Sequence, residues 1–498
     1  MATIGEHVQA AERMLAEGRA DDAVARLATL VPAQGGDLTL LTTYALALKS
    51  AERLDEAIKI YRRAARFWPR SGVAEHNLAG ALGDAQLFEE SEAAAGRAFA
   101  KGLDAPETWL VHARALQGQG RFEAAVSAYR QALTRRPNYA DAHADLAGLT
   151  WMLTGDLAEA RGPIDEALRR WPADPALSLK LSRLLDYTGD PEGAYGVLAD
   201  ALRRNPQEPL LHIPAAQLAA GLDPMLALDH AKRACAAAPR NDAAIATLAQ
   251  VNLAAGRPAE AESAARTFLA LHPDDQYGVA LLTTAWRLAG DPRYGDLCDY
   301  DRLVGQYPID IPAGWDTREA FLADLVPALT RMHPFRTHPI GQSVRHGSQT
   351  QQTLSLSKDP AILAYFEAID GPVRRHIAKL GAGDDPLRRR TTGDYRLNGA
   401  WSVRLSPGGF HVNHTHPKGW LSSACHLVLP AAVEDEAPQG WLTFGEPGVP
   451  TAPRLQADHA IKPKLGHLVL FPSYVWHGTA PFTGDDSRMT IALDVVPA

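Results

Sequence analysis

Residues 107–137 read ETWLVHARALQGQGRFEAAVSAYRQALTRRP, and the spacing inside this stretch decides the fold of the first half of the chain. Its closing proline belongs to a series with successive gaps of 68, 35, 34, 33 and 34 residues, at positions 69, 137, 172, 206, 239 and 273. Each proline of the series is preceded, twelve residues earlier, by an alanine. Because 68 is twice 34, the period is about 34 residues, which predicts an array of stacked repeats.

Each repeat unit has the residues that two amphipathic helices joined by a tight turn require. Alanine fits where two helices approach closely, and proline ends the second helix. Glycine permits the turn between the helices, and it recurs at positions 120, 155, 189, 221, 256 and 290. One such hairpin cannot bury its apolar faces alone, but stacked hairpins can. A different α-solenoid of similar period remains an alternative.

The unit at 107–137 closely resembles the tetratricopeptide repeat. The residues at that family's signature spacing are Trp109, Ala125, Tyr129, Ala132 and Pro137. The resemblance implies about eight repeats over residues 1–290, in the form of an α-solenoid. Such an array forms a curved scaffold whose concave surface usually binds peptides or proteins.

The 34-residue period ends near residue 290, and the texture of the sequence changes. Residues 317–332 and 358–380 still read as helices, so we expect residues 291–392 to be a helical segment that leads into a last domain. Residues 393–498 are rich in short β-prone runs between Gly and Pro turns, which predicts a sandwich or jelly-roll. We expect a chain that starts near residue 295 to fold without the repeats. The β-prone runs are AWSVRLS, GWLTFG, GHLVLF and RMTIALDVV.

The overall composition narrows the class of protein. The chain has 498 residues, and its 50 basic and 58 acidic residues give a net charge of −8, which argues against nucleic acid as a partner. Its three cysteines lie far apart, which suits a reducing compartment. The first residues lack the apolar run of a signal peptide, and no apolar stretch reaches the length of about 18 residues that a membrane span needs. We therefore expect a cytoplasmic protein that binds neither nucleic acid nor membranes.

Three histidines cluster within the β-rich region, in GGFHVNHTHPKGWLSS at residues 408–423. On a strand, His414 and His416 would point to the same face, so the two neutral imidazoles could bind one metal ion. His477, in HLVLFPSYVWHGTAPF, is the best candidate for a third ligand from a neighbouring strand. A proton relay and a merely His-rich loop are the alternatives for this cluster.

The run RMTIALDVV, which begins at Arg488, predicts a strand with two different faces. Met489, Ile491, Leu493 and Val495 would form an apolar face, whereas Arg488, Thr490, Ala492 and Asp494 would form the other face. An arginine on an inward face needs an anionic partner, because burying an unpaired charge is costly. A bound dicarboxylate could supply that partner through a bidentate contact.

This layout resembles the 2-oxoglutarate- and iron(II)-dependent dioxygenases, whose fold is a double-stranded β-helix, or jelly-roll. The family layout is a Gly pair, a His-x-acid motif, a distal histidine and an arginine about ten residues further on. In those places this chain has Gly408-Gly409, His414-Thr415-His416, His477 and Arg488. The resemblance implies that His414 and His477 bind iron and that Arg488 anchors the distal carboxylate of 2-oxoglutarate, with Thr490 assisting. It is closest to a branch of bacterial oxygenases attached to tetratricopeptide repeats.

Two positions depart from the usual pattern of that superfamily. His416 stands where most members have Asp or Glu, so the expected metal site has three neutral ligands instead of two histidines and a carboxylate. His411 stands where relatives often have a tyrosine that contacts the cosubstrate. Strict alternation along a strand, however, would put His411 on the face opposite His414.

The resemblance implies an enzyme that uses Fe(II), 2-oxoglutarate and O₂ to hydroxylate a C–H bond. The first hypothesis is a hydroxylase of a peptide or protein side chain that the repeats recruit. The second is an oxygenase of a small molecule, with the repeats serving oligomerisation or partner contact. The third is a non-catalytic repeat scaffold with a vestigial β-domain.

Overall fold

The computed structural model describes residues 3–32, 36–435 and 438–498. The chain forms two compact units, Met1–Leu149 and Thr150–Ala498. The boundary between the two units falls inside the repeat array, within the helix Ala140–Thr154. The domain boundaries expected after residues 290 and 392 stay predictions.

The described residues before position 290 are almost entirely helical. The first helices of the successive hairpins, with the single helix that follows them, are α1 (Ile4–Ala16), α3 (Leu38–Ser50), α5 (Gly72–Asp84), α7 (Pro106–Gly118), α9 (Ala140–Thr154), α11 (Pro175–Tyr187), α13 (Pro209–Ala219), α15 (Asp242–Ala254) and α17 (Gln276–Ala289). The second helices are α2 (Ala20–Ala28), α4 (Leu54–Phe67), α6 (Phe88–Ala100), α8 (Phe122–Arg135), α10 (Leu157–Arg170), α12 (Pro191–Arg204), α14 (Pro224–Ala237) and α16 (Pro258–Leu271).

The periodic residues occupy the positions that the sequence pattern predicted. The alanines that precede the prolines by twelve residues are at most 1% exposed, and they are Ala57, Ala125, Ala160, Ala194, Ala227 and Ala261. Turn glycines such as Gly120 and Gly189 have φ values of 75° and 94°, a region that residues with a Cβ rarely adopt. The predicted α-solenoid of helical hairpins is thus confirmed.

The unit Met1–Leu149 has its own apolar core. Its largest cluster of buried side chains extends from Val8 to Ala95 and includes Leu27, Tyr61 and Leu82. These side chains come from the facing sides of α1 to α6. Each helical pair therefore stabilises its neighbours, as repeat stacking requires.

The unit Thr150–Ala498 continues with four helices, α18 (Arg293–Leu297), α19 (Tyr300–Leu303), α20 (Arg318–Thr330) and α21 (Pro360–Leu380). The helices expected over 317–332 and 358–380 correspond to α20 and α21. Short 3₁₀ turns lie at Leu354–Leu356, Arg388–Arg390 and Ala431–Glu434. No helix in the described part of the chain is long and apolar enough to cross a membrane.

The C-terminal part forms a curled antiparallel sheet, as expected for the resembled fold. The order of strands is β1-β7-β4-β9-β3-β8-β5-β6, and β2 pairs with β3 outside this path. The four β-prone runs predicted from the sequence lie in β3, β5, β7 and β9. The strands are β1 (Gly305–Pro308), β2 (Val344–Gln349), β3 (Tyr395–His414), β4 (Leu421–Val428), β5 (Leu442–Phe444), β6 (His459–Ile461), β7 (His467–Pro472), β8 (His477–Thr479) and β9 (Arg488–Pro497).

The last repeats and the sheet share one apolar core. A single cluster of buried side chains runs from Ile245 in α15 to Val495 in β9. The indole N–H of Trp476, just before β8, donates to Thr284 Oγ1 in α17 at 2.9 Å. A cut near residue 295 would pass through this core, which argues against the independent folding that we expected of the C-terminal part.

Candidate active site

Strand pairing places the first two histidines of the candidate metal site. His414 is the last residue of β3, and the antiparallel register puts it opposite His477, the first residue of β8. Their ring centroids lie 4.2 Å apart. Two residues that are 63 positions apart in sequence are therefore brought together by one cross-strand pair.

His416 completes the cluster from the loop that follows β3. Its backbone N–H donates to the carbonyl of Ser473 at 3.1 Å, which fixes the loop against the end of β7. Its ring centroid lies 5.1 Å from that of His414 and 5.1 Å from that of His477. One ring nitrogen from each histidine lies within 4.8 Å of the other two, a spacing suited to a single metal ion.

The hydrogen bonds of the three rings leave the same nitrogen of each ring available. The Nδ1 of His414 contacts the carbonyl of Val412 at 2.8 Å, and that of His477 contacts the carbonyl of Val475 at 3.0 Å. A carbonyl accepts only, so Nδ1 carries the proton in both rings and Nε2 keeps its lone pair. Partners of this kind fix the tautomer of histidines that bind metals.

The third ring has a carboxylate as its partner, and the sequence did not predict this contact. His416 Nδ1 lies 2.5 Å from Asp494 Oδ1 in β9, and Ser422 Oγ donates to the same oxygen at 3.0 Å. Asp494 is 9% exposed. The carboxylate thus places a negative charge behind the position where most of the superfamily has an acidic ligand. The only sequence signal that Asp494 belongs to the site was its position on the same predicted strand face as Arg488.

The surroundings favour neutral imidazoles, the form that binds metal. Burial, with a smaller contribution from the neighbouring His416, lowers the pKa of His414 to about 3. Burial also lowers the pKa of His477 well below the usual value, with smaller contributions from His414 and His416. Neither ring needs to lose a proton near neutral pH before it binds a cation.

Arg488 lies in the same cavity, and it has no anionic partner in the described part of the chain. It is 2% exposed, and burial lowers its pKa to about 10. Its Nη2 lies 3.3 Å from Nδ1 of His426, while its buried Nε has no hydrogen-bond partner. A buried guanidinium with a partnerless N–H fits a carboxylate ligand.

The two faces of β9 alternate as the sequence predicted. Met489, Ile491, Leu493 and Val495 belong to the shared core, whereas Arg488, Thr490, Ala492 and Asp494 line the cavity. Thr490 is 4% exposed and lies two residues after Arg488 on the cavity side. The strand therefore carries a buried guanidinium at its start and the partner of His416 six residues further on.

His411 also lies in the cavity, although strict alternation along β3 would place it on the other face. The register between β3 and β8 shifts between His411 and His414, and this irregularity turns both side chains toward the cavity. Their rings stack with centroids 6.1 Å apart, and His411 Nδ1 lies 3.0 Å from Ser343 Oγ. The alternation argument against His411 is therefore wrong at this position.

Gly478, directly after His477, lies where β8 and β3 approach each other closely. Its backbone does not have a positive φ. A Cβ at this position would lie 2.9 Å from the carbonyl oxygen of His411 and closer still to Oδ1 of Asn413. Glycine therefore allows β8 to approach β3 closely enough for His477 to face His414.

The sheet brings three histidines that could hold a metal ion and a buried arginine into one cavity. Residues 399–494 match the family model described as "Putative 2OG-Fe(II) oxygenase", and residues 110–175 match a tetratricopeptide-repeat model. The chain thus carries tetratricopeptide repeats and a 2OG-Fe(II) oxygenase region. This family implies Fe(II), 2-oxoglutarate and O₂ as cofactors.

Several solved structures are similar to part of this chain. The Cut9–Hcn1 hetero-tetramer of the APC/C is 15% identical with a TM-score of 0.34, and the match covers 55% of this chain and 54% of that chain. The C-terminal part of a TPR repeat-containing protein from Cytophaga hutchinsonii is 17% identical with a TM-score of 0.32, covering 48% and 98%. A thermophilic TPR protein from Thermus thermophilus is 22% identical with a TM-score of 0.30, covering 36% and 98%. The comparison with curated proteins gives no match.

Proposed function

We propose that this protein is an Fe(II)- and 2-oxoglutarate-dependent dioxygenase that hydroxylates a side chain of a peptide or protein held by the repeats. The observation that carries the proposal is the position of the three-histidine cluster in the same cavity as a buried arginine without an anionic partner among the described residues. A metal site and an anion site side by side are what a cosubstrate that binds both iron and arginine requires.

His414, His416 and His477 would hold the iron through their Nε2 atoms. The ring orientations support this assignment, since each Nδ1 is already engaged by a carbonyl or a carboxylate. Three neutral histidines alone would leave the site more positive than two histidines and a carboxylate. Asp494 offsets this difference through its contact with His416, because a carboxylate behind a ligating histidine raises the basicity of the ligand.

Arg488 would hold the distal carboxylate of 2-oxoglutarate in a bidentate contact. Thr490 is placed to donate a hydroxyl hydrogen bond to the same carboxylate, and His411 would lie beside the cosubstrate. When bound, the iron would supply the oxidation of a C–H bond to an alcohol by O₂, coupled to the conversion of 2-oxoglutarate to succinate and CO₂. The chain itself would contribute the orientation of both partners, and the rings of Trp401 and Phe471 lie beside His416 and His477.

The direct test is succinate formation by the full chain. The protein would be loaded anaerobically with Fe(II), mixed with 2-oxoglutarate and exposed to air, and succinate would be measured by mass spectrometry. We expect slow formation without substrate and no formation under nitrogen. His467→Ala changes a histidine outside the cavity and should keep this activity, whereas His477→Ala should abolish it.

A protein that binds iron and 2-oxoglutarate but forms no succinate would contradict the proposal and favour the vestigial scaffold. Hydroxylation of a small molecule, but of no peptide, would instead favour the small-molecule oxygenase. Candidate peptides would be incubated with the active protein, and a mass increase of about 16 Da, one oxygen atom, would identify a substrate.

A further inference from the structure

The cavity that holds the histidines and Arg488 has a second wall, built from the repeats of the same compact unit. Its volume is about 1170 Å³, more than a five-carbon cosubstrate could fill. The first helices of the last three hairpins and the single helix α17 line this wall: α11 contributes Arg183, Asp186 and Tyr187, α13 contributes Gln217, α15 contributes Gln250 and α17 contributes Tyr277. The repeats therefore form part of the pocket instead of a separate recruiting arm.

The dimensions of this wall suit an extended chain. The four helices contact one another in the order α11, α13, α15 and α17. Packed helices lie about 8–10 Å apart, so three spacings cover about 24–30 Å. This is the length of about eight extended residues at about 3.3 Å each. A free amino acid or a small acid would occupy only a fraction of such a wall.

Two guanidinium groups at the α11 end of the wall lack a carboxylate partner. Arg345 in β2 lies 5.0 Å from the ring centre of Tyr187, and Arg183 lies 5.7 Å from it. Within residues 3–32, 36–435 and 438–498, no carboxylate oxygen lies within 4.0 Å of either guanidinium. Arg345 donates to the carbonyls of Gln342 and Val344 at 2.7 and 2.9 Å, which fixes its position. Burial lowers the pKa of Arg345, so its charge is incompletely compensated.

Asp186 is the acidic residue of this corner, and it does not neutralise the pair. Burial raises the pKa of Asp186, and Arg345 and Arg183 partly oppose that effect from a distance. Its carboxylate forms no ion pair within 4.0 Å and accepts no side-chain hydrogen bond among the described residues. The corner formed by Arg183, Asp186 and Arg345 therefore keeps a net charge of +1.

We propose that the substrate is an extended peptide segment with an acidic side chain, which lies along α11, α13, α15 and α17 and places its carboxylate against Arg183 and Arg345. This inference rests on the proposed function, because it assigns the rest of the cavity to that enzyme's substrate. Gln217 donates to Thr247 Oγ1 at 3.2 Å and Gln250 accepts from the Tyr277 hydroxyl at 3.2 Å, and each amide keeps further donor and acceptor capacity for a peptide backbone. Arg345 and Arg183 are then the residues that determine specificity, and the inner face of the repeats is the substrate site itself.

The test measures binding of three fluorescein-labelled pools of 12-residue peptides to the full chain by polarisation, with Asp/Glu, Asn/Gln or Lys at the central positions. Peptide binding needs no metal, so it is measured without iron. We expect the acidic pool to bind at least tenfold more tightly than the neutral pool. Arg345→Gln and Arg183→Gln should each remove most of this preference, and Arg345→Lys should recover part of it. Arg204→Gln, on the outer helix α12, is the matched control and should change nothing.

Asp186→Asn provides the reciprocal test, because it removes the opposing charge. We expect this variant to bind the acidic pool several-fold more tightly. The inference would be overturned if the wild type preferred the lysine pool and Asp186→Asn lost that preference. Equal binding of all three pools would overturn it as well. Competition by N-acetyl-aspartate amide as strong as that by the acidic peptides would show a small acid as ligand instead. If the chain binds Fe(II) and 2-oxoglutarate but shows no peptide preference, only this inference fails; if it binds neither, the proposed function fails.

Discussion

Replacing Arg488 by Met should affect stability and cosubstrate binding in opposite directions. The pKa of Arg488 falls from 12.5 to about 10 through burial, and at about 1.4 kcal/mol per pKa unit this burial costs the ligand-free protein about 3 kcal/mol. Because the folded pKa lies below the unfolded one, the cost is fully present at pH 7, where both forms are charged. Loss of the contact with His426 destabilises the variant by about 1–3 kcal/mol, which offsets part or all of the gain from removing the buried charge. We expect Arg488→Met to be as stable as the wild type or up to about 2 kcal/mol more stable.

The same substitution should remove most of the affinity for 2-oxoglutarate. Two charge-assisted hydrogen bonds to a carboxylate contribute about 1.5–3 kcal/mol each. At about 1.4 kcal/mol per tenfold change, their loss weakens binding by about 100-fold or more. Metal binding should remain, since Arg488 contacts none of the three histidines.

Thermal unfolding of the full chain with Mn(II), with and without 2-oxoglutarate, measures both effects. A ligand at 100 times its dissociation constant stabilises the wild type by about 2.7 kcal/mol, and this gain should vanish in Arg488→Met. The control is Arg390→Met, because Arg390 donates to the carbonyl of Gly419 at 2.9 Å and lies outside the cavity. That variant should be less stable and still respond to 2-oxoglutarate. An Arg488→Met protein that is clearly destabilised yet still stabilised by 2-oxoglutarate would refute the reasoning.

Five further substitutions test the metal site, its support and the coupling of α17 to the sheet. Loss of His414 or His477 to Ala should abolish iron binding, because a missing ligand removes both affinity and geometry; full occupancy by elemental analysis would exclude that residue as a ligand. His416→Ala should abolish succinate release, whereas a loss of only about 10- to 100-fold would make His416 a supporting residue. Asp494→Asn should weaken metal binding by about 10- to 100-fold in a chelator competition while the fold is kept; unchanged affinity would show that its charge is irrelevant to the site. Trp476→Phe removes a buried hydrogen bond worth about 1 kcal/mol, so an unchanged thermal midpoint would argue against the coupling of α17 to the sheet.

The parts of the fold that depend on local chemistry were predictable from the sequence. Proline, glycine and alanine act on the backbone and on the closest helix contacts, so their period located the hairpins directly. The alternation along β9 also depends only on local backbone geometry, so it placed Arg488 and Met489 on opposite faces of the strand. The proximity of His414 and His477 in space came from a family resemblance, because nothing in the 63-position separation between them fixes a strand register.

The features that the sequence did not predict depend on contacts between distant segments. The contact of Asp494 with His416 requires the register of β9 and the path of the loop after β3 together. His411 lies in the cavity because of an irregularity in β3, and no residue type in the sequence predicts that irregularity. The lining of the cavity by Tyr187 and Tyr277 requires the packing of the repeats on the sheet, which periodicity within the repeats does not specify.

The hydrogen bond between Trp476 and Thr284 has a consequence for how such a chain can be altered by recombination. Trp476 is adjacent in sequence to His477, and Thr284 lies in α17, where the repeat array ends. Duplicating or deleting a hairpin immediately before α17 would replace part of the cavity wall. It would also require α17 to pack again on Trp476, which is adjacent to the candidate metal ligand His477. Recombination in this region would therefore alter the wall of the cavity and the surroundings of the candidate metal site in one step.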